Sequence, residues 1–169
     1  AMMVALARFH AAWWQHPQMG AIPDLMEVRW WYRDEAFFRR HYAMRQEQVT
    51  DFLARFGEEI EGEIVEMIQK MVARYATFWD YLAPRVTSFQ HLTLSQGDCY
   101  LTQFLVPRYA THQGAILVDF QAASVNFGAY DLVYMVATFW TSAQRAQHEE
   151  RLLRLYWETL QLHGVMGYP

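Results

Sequence analysis

The feature that most narrows what this chain can fold into is a change of pattern near Pro84. Before it, apolar residues recur at helical spacing; after it they fall into three short β-like runs, at 91 to 95, 103 to 106 and 115 to 119, separated by polar breaks. Two aspartates, Asp98 and Asp119, stand where such runs break, and from Ala129 the helical pattern returns. The expected fold is therefore mainly α, with a small β-hairpin element that displays two carboxylate loops.

The helices read in order. Leu6, Phe9, Trp13 and Trp14 share one side of a helix from Met3 to about Gln15, with His10 among them. His16-Pro17, Gly20 and Pro23 end it, because proline lacks the N–H that the ladder needs. Leu25, Val28, Trp30, Trp31 and Tyr32 follow. Asp34 is placed to cap a second helix running to about Phe56 and ending at Gly57. Phe38, Tyr42, Val49, Phe52, Leu53 and Phe56 are its expected buried face. Between Glu59 and Leu82 the series Ile60, Ile64, Met67, Ile68, Met71, Val72, Tyr75, Phe78 and Trp79 is the strongest periodic signal, and Pro84 is expected to stop that helix. A helix through Leu132, Val136 and Trp140 and a last one from about Ser142 through Tyr156 and Leu160 close the chain. No internal repeat or low-complexity segment is visible.

Composition sets limits on function. With 169 residues, 53% of them hydrophobic and 17% aromatic, the chain has the means to bury a core as a single domain over 2–169. A formal net charge of -4 and a pI near 6.0 speak against nucleic acid or an anionic membrane as partner. Charges interrupt the apolar stretches before they reach bilayer length, and the first residues lack a secretory pattern, so the expected location is cytoplasmic. Cys99 is the only cysteine, which leaves no intrachain disulfide and no cysteine-based zinc site.

The two aspartate loops carry the chemistry. Phosphoryl transfer needs a carboxylate to orient and deprotonate an attacking hydroxyl, and oxygen ligands to hold magnesium on the phosphates. Asp98, after Gly97, fits the first task; Asp119, with Gln103 five residues after Asp98, fits the second. The plainer reading makes each aspartate a turn residue at a strand end.

Gln96-Gly97-Asp98 with Gln103, then Ile116-Leu117-Val118-Asp119-Phe120, then Gly128-Ala129-Tyr130-Asp131-Leu132, resemble in order the aminoglycoside phosphotransferase and choline kinase group of protein-kinase-like small-molecule kinases. Leu6-Ala7-Arg8-Phe9-His10 with Trp13-Trp14 looks like that group's first helix after the interlobe hinge. The resemblance covers nearly the whole chain. It implies an ATP- and Mg-dependent kinase acting on a small-molecule acceptor. It further implies that Asp98 is the catalytic base, Asp119 the main magnesium ligand and Gln103 a second ligand. Leu105 and Val118 would face adenine, and Asp131 would brace the catalytic loop through its backbone. Two residues depart from the pattern: Gln96 stands for the usual histidine and Gln103 for the usual asparagine, one methylene longer.

The resemblance is to the C-terminal lobe alone. Lys70, the single lysine, lies inside an amphipathic helix, and the glycines never form G-x-G, so the group's phosphate-binding lysine and covering loop have no counterpart here. Positioning and charge neutralisation supply most of the rate in this chemistry, so the lobe by itself is expected to be a poor enzyme. Its partners would be a complementing N-terminal β-rich lobe or a second copy on the uncovered apolar face. The alternative is a non-catalytic, truncated kinase-like module that works by association.

Other features have bland readings. His10 on an apolar stripe is expected to be a hydrogen-bonded core residue rather than a general base. Trp30, Trp31 and Tyr32, with Asp80 or Glu35, could form a cage for a cation but read more simply as core. Glu59, Glu63 and Glu66 read as a solvated face, with Lys70 at i+4 from Glu66. His148-Glu149-Glu150 lacks the second histidine of a zinc-protease helix, since position 152 is Leu.

Overall fold

The computed structural model describes residues 1–22, 35–109 and 114–168. It is mainly helical with two small antiparallel strand pairs, as the pattern of the sequence predicts. The elements are α1 (Met2–Ala12), α2 (Glu35–Phe56), α3 (Gly62–Ser88), β1 (Leu92–Ser95), β2 (Phe104–Leu105), β3 (Ile116–Leu117), β4 (Ser124–Phe127), α4 (Gly128–Ala137) and α5 (Ser142–Leu162). Asp34, Pro23, Trp30, Trp31 and Tyr32 lie outside the described residues, so the expected cap and the aromatic cage do too. No helix among the described residues is long and apolar enough to cross a membrane.

The chain forms two compact units. The first joins α1 to everything from His91 onward. Its core gathers Met3, Leu6 and Ala7 from α1, Cys99 from the loop after β1, Phe104 from β2, Leu132, Met135 and Val136 from α4, and Tyr156 and Leu160 from α5. The spacing of Met3, Leu6, Ala7 and His10 puts all four on one buried face, which explains why α1 packs there. α1 ends at Ala12, earlier than its apolar stripe suggests, because Gln15 turns into a left-handed conformation (φ 51°) and its N–H bonds to the Leu92 carbonyl at 2.8 Å. α5 starts with a capping box: the Thr141 hydroxyl accepts from Gln144 N, and Gln144 Oε1 accepts from Thr141 N at 2.9 Å.

β1 pairs with β4, a strand that the sequence pattern does not announce. The register is Leu92 with Phe127, Thr93 with Asn126, Leu94 with Val125 and Ser95 with Ser124. Serine and asparagine are poor strand formers, so Ser124-Val125-Asn126-Phe127 reads as a polar break. Tertiary partners reverse this: β1 is buried throughout, the Ser95 and Ser124 hydroxyls meet at 3.2 Å, and the Thr93 hydroxyl donates to the His10 carbonyl at 2.7 Å. β2 and β3 form the expected hairpin, with Phe104 opposite Leu117 and Leu105 opposite Ile116.

The second unit is the α2–α3 pair. Here the expected stop at Pro84 is wrong: α3 runs on to Ser88. Proline removes one bond to the carbonyl a turn back, yet the last turn is kept by burial of Leu82 and by a closing motif. Phe89 takes a left-handed φ of 57°, its N–H bonds to the Val86 carbonyl, and Gln90 N–H bonds to the Arg85 carbonyl at 2.9 Å, which is a Schellman arrangement. The expected buried face of α2 also needs correction. Phe38 is buried, whereas Phe52 and Phe56 are 44% and 45% exposed. A two-helix pair has only one covered seam, so residues off that seam stay in solvent whatever their hydrophobicity.

Candidate active site

The Asp98 loop leaves β1 at Ser95 and is shaped by a glycine. Gly97 has φ 90°, and a Cβ there would overlap the Ala122 carbonyl, so no other residue fits this turn. The chain then makes a short 3-10 turn, Leu101–Gln103, that leads straight into β2. Asp119 leaves β3 at the other side. It too is left-handed (φ 60°), a conformation that aspartate tolerates better than most side chains.

Gln96 ties the two loops together. Its Nε2 donates to the Val118 carbonyl at 3.2 Å and to the Asp119 carbonyl at 2.5 Å, while its Oε1 accepts from Asp98 N at 2.9 Å. One buried amide thus holds the backbone beside both aspartates. Val118 N also donates to the Gln103 carbonyl at 2.9 Å, continuing the hairpin toward Asp119.

Below the loop lies a buried polar chain. Asp131, in the first turn of α4 and fully buried, accepts from Gln96 N at 2.7 Å, from Gly97 N at 2.9 Å and from His10 Nε2 at 3.0 Å. His10 Nδ1 meets the Tyr156 hydroxyl at 2.6 Å. Donor accounting favours the neutral ring, with Nε2–H toward Asp131 and the Tyr156 O–H toward Nδ1, since every polar atom then has a partner. Burial pushes the Tyr156 phenol far up, which keeps that hydroxyl a donor. His10 is therefore a hydrogen-bonded core residue, as its place on an apolar stripe led us to expect. A Cβ on Gly128 would overlap the Tyr156 hydroxyl and crowd His10 Nδ1 at 3.1 Å, so α4 can start here only with glycine.

The Asp98 carboxylate is half-buried and accepts from the Tyr134 hydroxyl. That bond holds the Tyr134 phenol above the ordinary tyrosine range. Sequence reasoning missed Tyr134, although it stands three residues after Asp131 and so on the same helical face. It also missed Tyr156, for which long-range contact leaves no local signal. Cys99 beside Asp98 is buried, and burial first, then Asp131 and Asp98, raises its thiol far beyond reactivity.

The remaining candidates are arranged around the hairpin. Gln103 is buried, and its Nε2 lies 3.5 Å from Asp119 Oδ2, a long contact; Asp119 is exposed. Leu105 is 58% exposed on β2, and Val118 is half-buried just after β3. As a magnesium site, one carboxylate and one amide fit an ion that keeps several waters and takes its other ligands from phosphates. The Gln103 amide would have to turn its oxygen toward Asp119 for this. Among the described residues no cluster of three or more His, Cys, Asp or Glu could form a closed protein cage.

A helical lobe that displays two aspartate loops from two small strand pairs, one loop anchored by a buried helix-start carboxylate, is the architecture of a kinase-like helical lobe. The chain belongs to the ecdysteroid kinase-like family, whose sequence model matches residues 1–165. That family is kinase-like and related to small-molecule kinases, a broader placement than the aminoglycoside phosphotransferase and choline kinase group. No curated protein and no solved structure matches the chain.

Proposed function

We propose that this chain is the acceptor- and magnesium-side lobe of an ATP-dependent kinase that phosphorylates a hydroxyl of a small molecule. The observation that carries the reading is the Gln96 bridge, which fixes the Asp98 and Asp119 backbones to each other. Asp98 orients the acceptor O–H and takes its proton as the oxygen bonds to the γ-phosphorus of ATP and the bond from that phosphorus to the bridging oxygen breaks, which releases ADP. Asp119 and Gln103 hold magnesium, which when bound offsets charge on the phosphates. Leu105 and Val118 contact the adenine, and Asp131 keeps the loop amides in place.

The phosphate-gripping lysine and glycine loop come from a complementing β-rich lobe that packs over the exposed apolar residues of the hairpin. Leu105, Val106, Ile116 and Phe120 supply that surface, at 58%, 56%, 61% and 42% exposure. The test is magnesium-dependent ATP turnover by the chain joined to, or mixed with, such a lobe. Asp98→Asn should lower turnover by about 10²-fold or more, the scale of a lost general base. Unchanged turnover in Asp98→Asn would reject the assignment.

One observation favours a second reading. Lys70, the only lysine, lies on the exposed face of α3, where it pairs with Glu66 at 3.2 Å. On that reading the chain is a non-catalytic module that works by association. Micromolar binding of Mg-ATP to the chain, measured calorimetrically and lost in Asp119→Asn, would count against it.

A further inference from the structure

α3 carries two apolar seams, one more than α2 covers. The first is Val65, Ile68, Val72, Tyr75 and Trp79, at alternating steps of three and four, and all five are half-buried. Phe38 of α2 stacks on Tyr75 with centroids 5.2 Å apart and meets Trp79 at 5.3 Å, and Tyr42 stacks on Tyr75 at 5.7 Å. The second seam runs beside it: Ile64, Met67, Met71, Arg74, Phe78 and Tyr81, again at steps of three and four. Its apolar members are 40%, 61%, 63%, 41% and 56% exposed, in that order. Large apolar side chains sustained at heptad spacing along a helix surface form a coiled-coil seam, and this one is open.

Two properties of the seam select its occupant. Its spacing is a palindrome. An antiparallel copy turned about the point between Val72 and Ala73 sets Ile64 against Tyr81, Met67 against Phe78, and Met71 against the aliphatic stem of Arg74. Each copy then offers what the other receives, which is what a two-fold interface requires. The charges agree. Glu58, Glu59, Glu61, Glu63 and Glu66 crowd one end of the helix and its approach with no lysine or arginine among them, whereas Lys70, Arg74 and Arg85 follow against a single Asp80. Parallel copies would set five glutamates against five; antiparallel copies set them against residues 79–87, where Arg85 balances Asp80, so that repulsion is removed.

We propose that a second copy of this chain docks antiparallel on the second seam of α3, giving a two-fold homodimer. This face belongs to α3, and the inference does not rest on phosphoryl transfer. The test is sedimentation equilibrium of the whole chain over a concentration series. The expected result is a reversible monomer–dimer equilibrium that the double change Met67→Glu with Met71→Glu weakens by about a hundredfold, the scale of losing central interface anchors. Far-UV circular dichroism should be unchanged, because both positions are exposed. A second experiment checks the register: Met67→Glu and Phe78→Lys should each be monomeric alone and form a one-to-one heterodimer when mixed. A wild-type chain that stays monomeric throughout the series would overturn the proposal. So would a dimer that survives the two glutamates, or a mixture that associates no better than its components.

Discussion

Asp131 shows how much of the candidate site hangs on one residue. Its two oxygens serve three donors, so truncation leaves the buried Gln96 amide and His10 Nε2 unpaired, together with the part-buried Gly97 amide. Asp131→Ala should cost about 3–5 kcal/mol in denaturant unfolding, the range for removing one partner from a buried charged network. Tyr134 permits a pH prediction. Its hydrogen bond to Asp98 raises the phenol in the folded state, so the bond's contribution is complete below the unfolded tyrosine value of about 10. It is lost as pH rises through the higher folded value. Tyr75, Tyr130 and Tyr156 are raised as well, so near-ultraviolet titration should show one fewer late-ionising tyrosine in Tyr134→Phe than in the unchanged chain, and one shifted back toward the ordinary range in Asp98→Asn.

At the level of elements, local signals and tertiary partners divide the work. Thr141 and Gln144 form a cap within four residues of sequence, and Thr141→Ala should destabilise α5 by about 1 kcal/mol, measured by thermal or chemical unfolding. β4 could not be read this way, because its serine and asparagine become strand residues only when β1 supplies hydrogen-bond partners. Pro84 is the opposite case. Its local message is to stop, and burial of Leu82 together with the left-handed Phe89 closing motif outweighs it. The hairpin and its two aspartates lie where the pattern of apolar runs places them, since turn residues at strand ends are a local property.

Across the molecule the buried apolar side chains are unevenly shared. Among the described residues of the α2–α3 unit only Phe38 and Leu82 are buried hydrophobics, while α1, α4 and α5 supply a contiguous core and β1 is buried throughout. Backbone hydrogen bonds backed by few buried contacts open more readily. Amide hydrogen exchange should therefore be fastest in the first half of α3 and slowest in β1, α4 and α5. Equal protection in the two regions would contradict this.

The sequence by itself determined the helical class, the two aspartate loops and their spacing, because periodicity, glycine and turn chemistry act over a few residues. The resemblance also implies that Asp131 braces the catalytic loop, and only the tertiary structure decided the rest of what holds those loops. Gln96 reaches the Asp119 backbone 23 residues on as well as that of its neighbour Asp98, and His10 meets Asp131 and Tyr156 across separations of more than a hundred residues. Such pairings leave no periodic trace, since each partner sits in an ordinary local context and acquires its role only when the core brings the helices together.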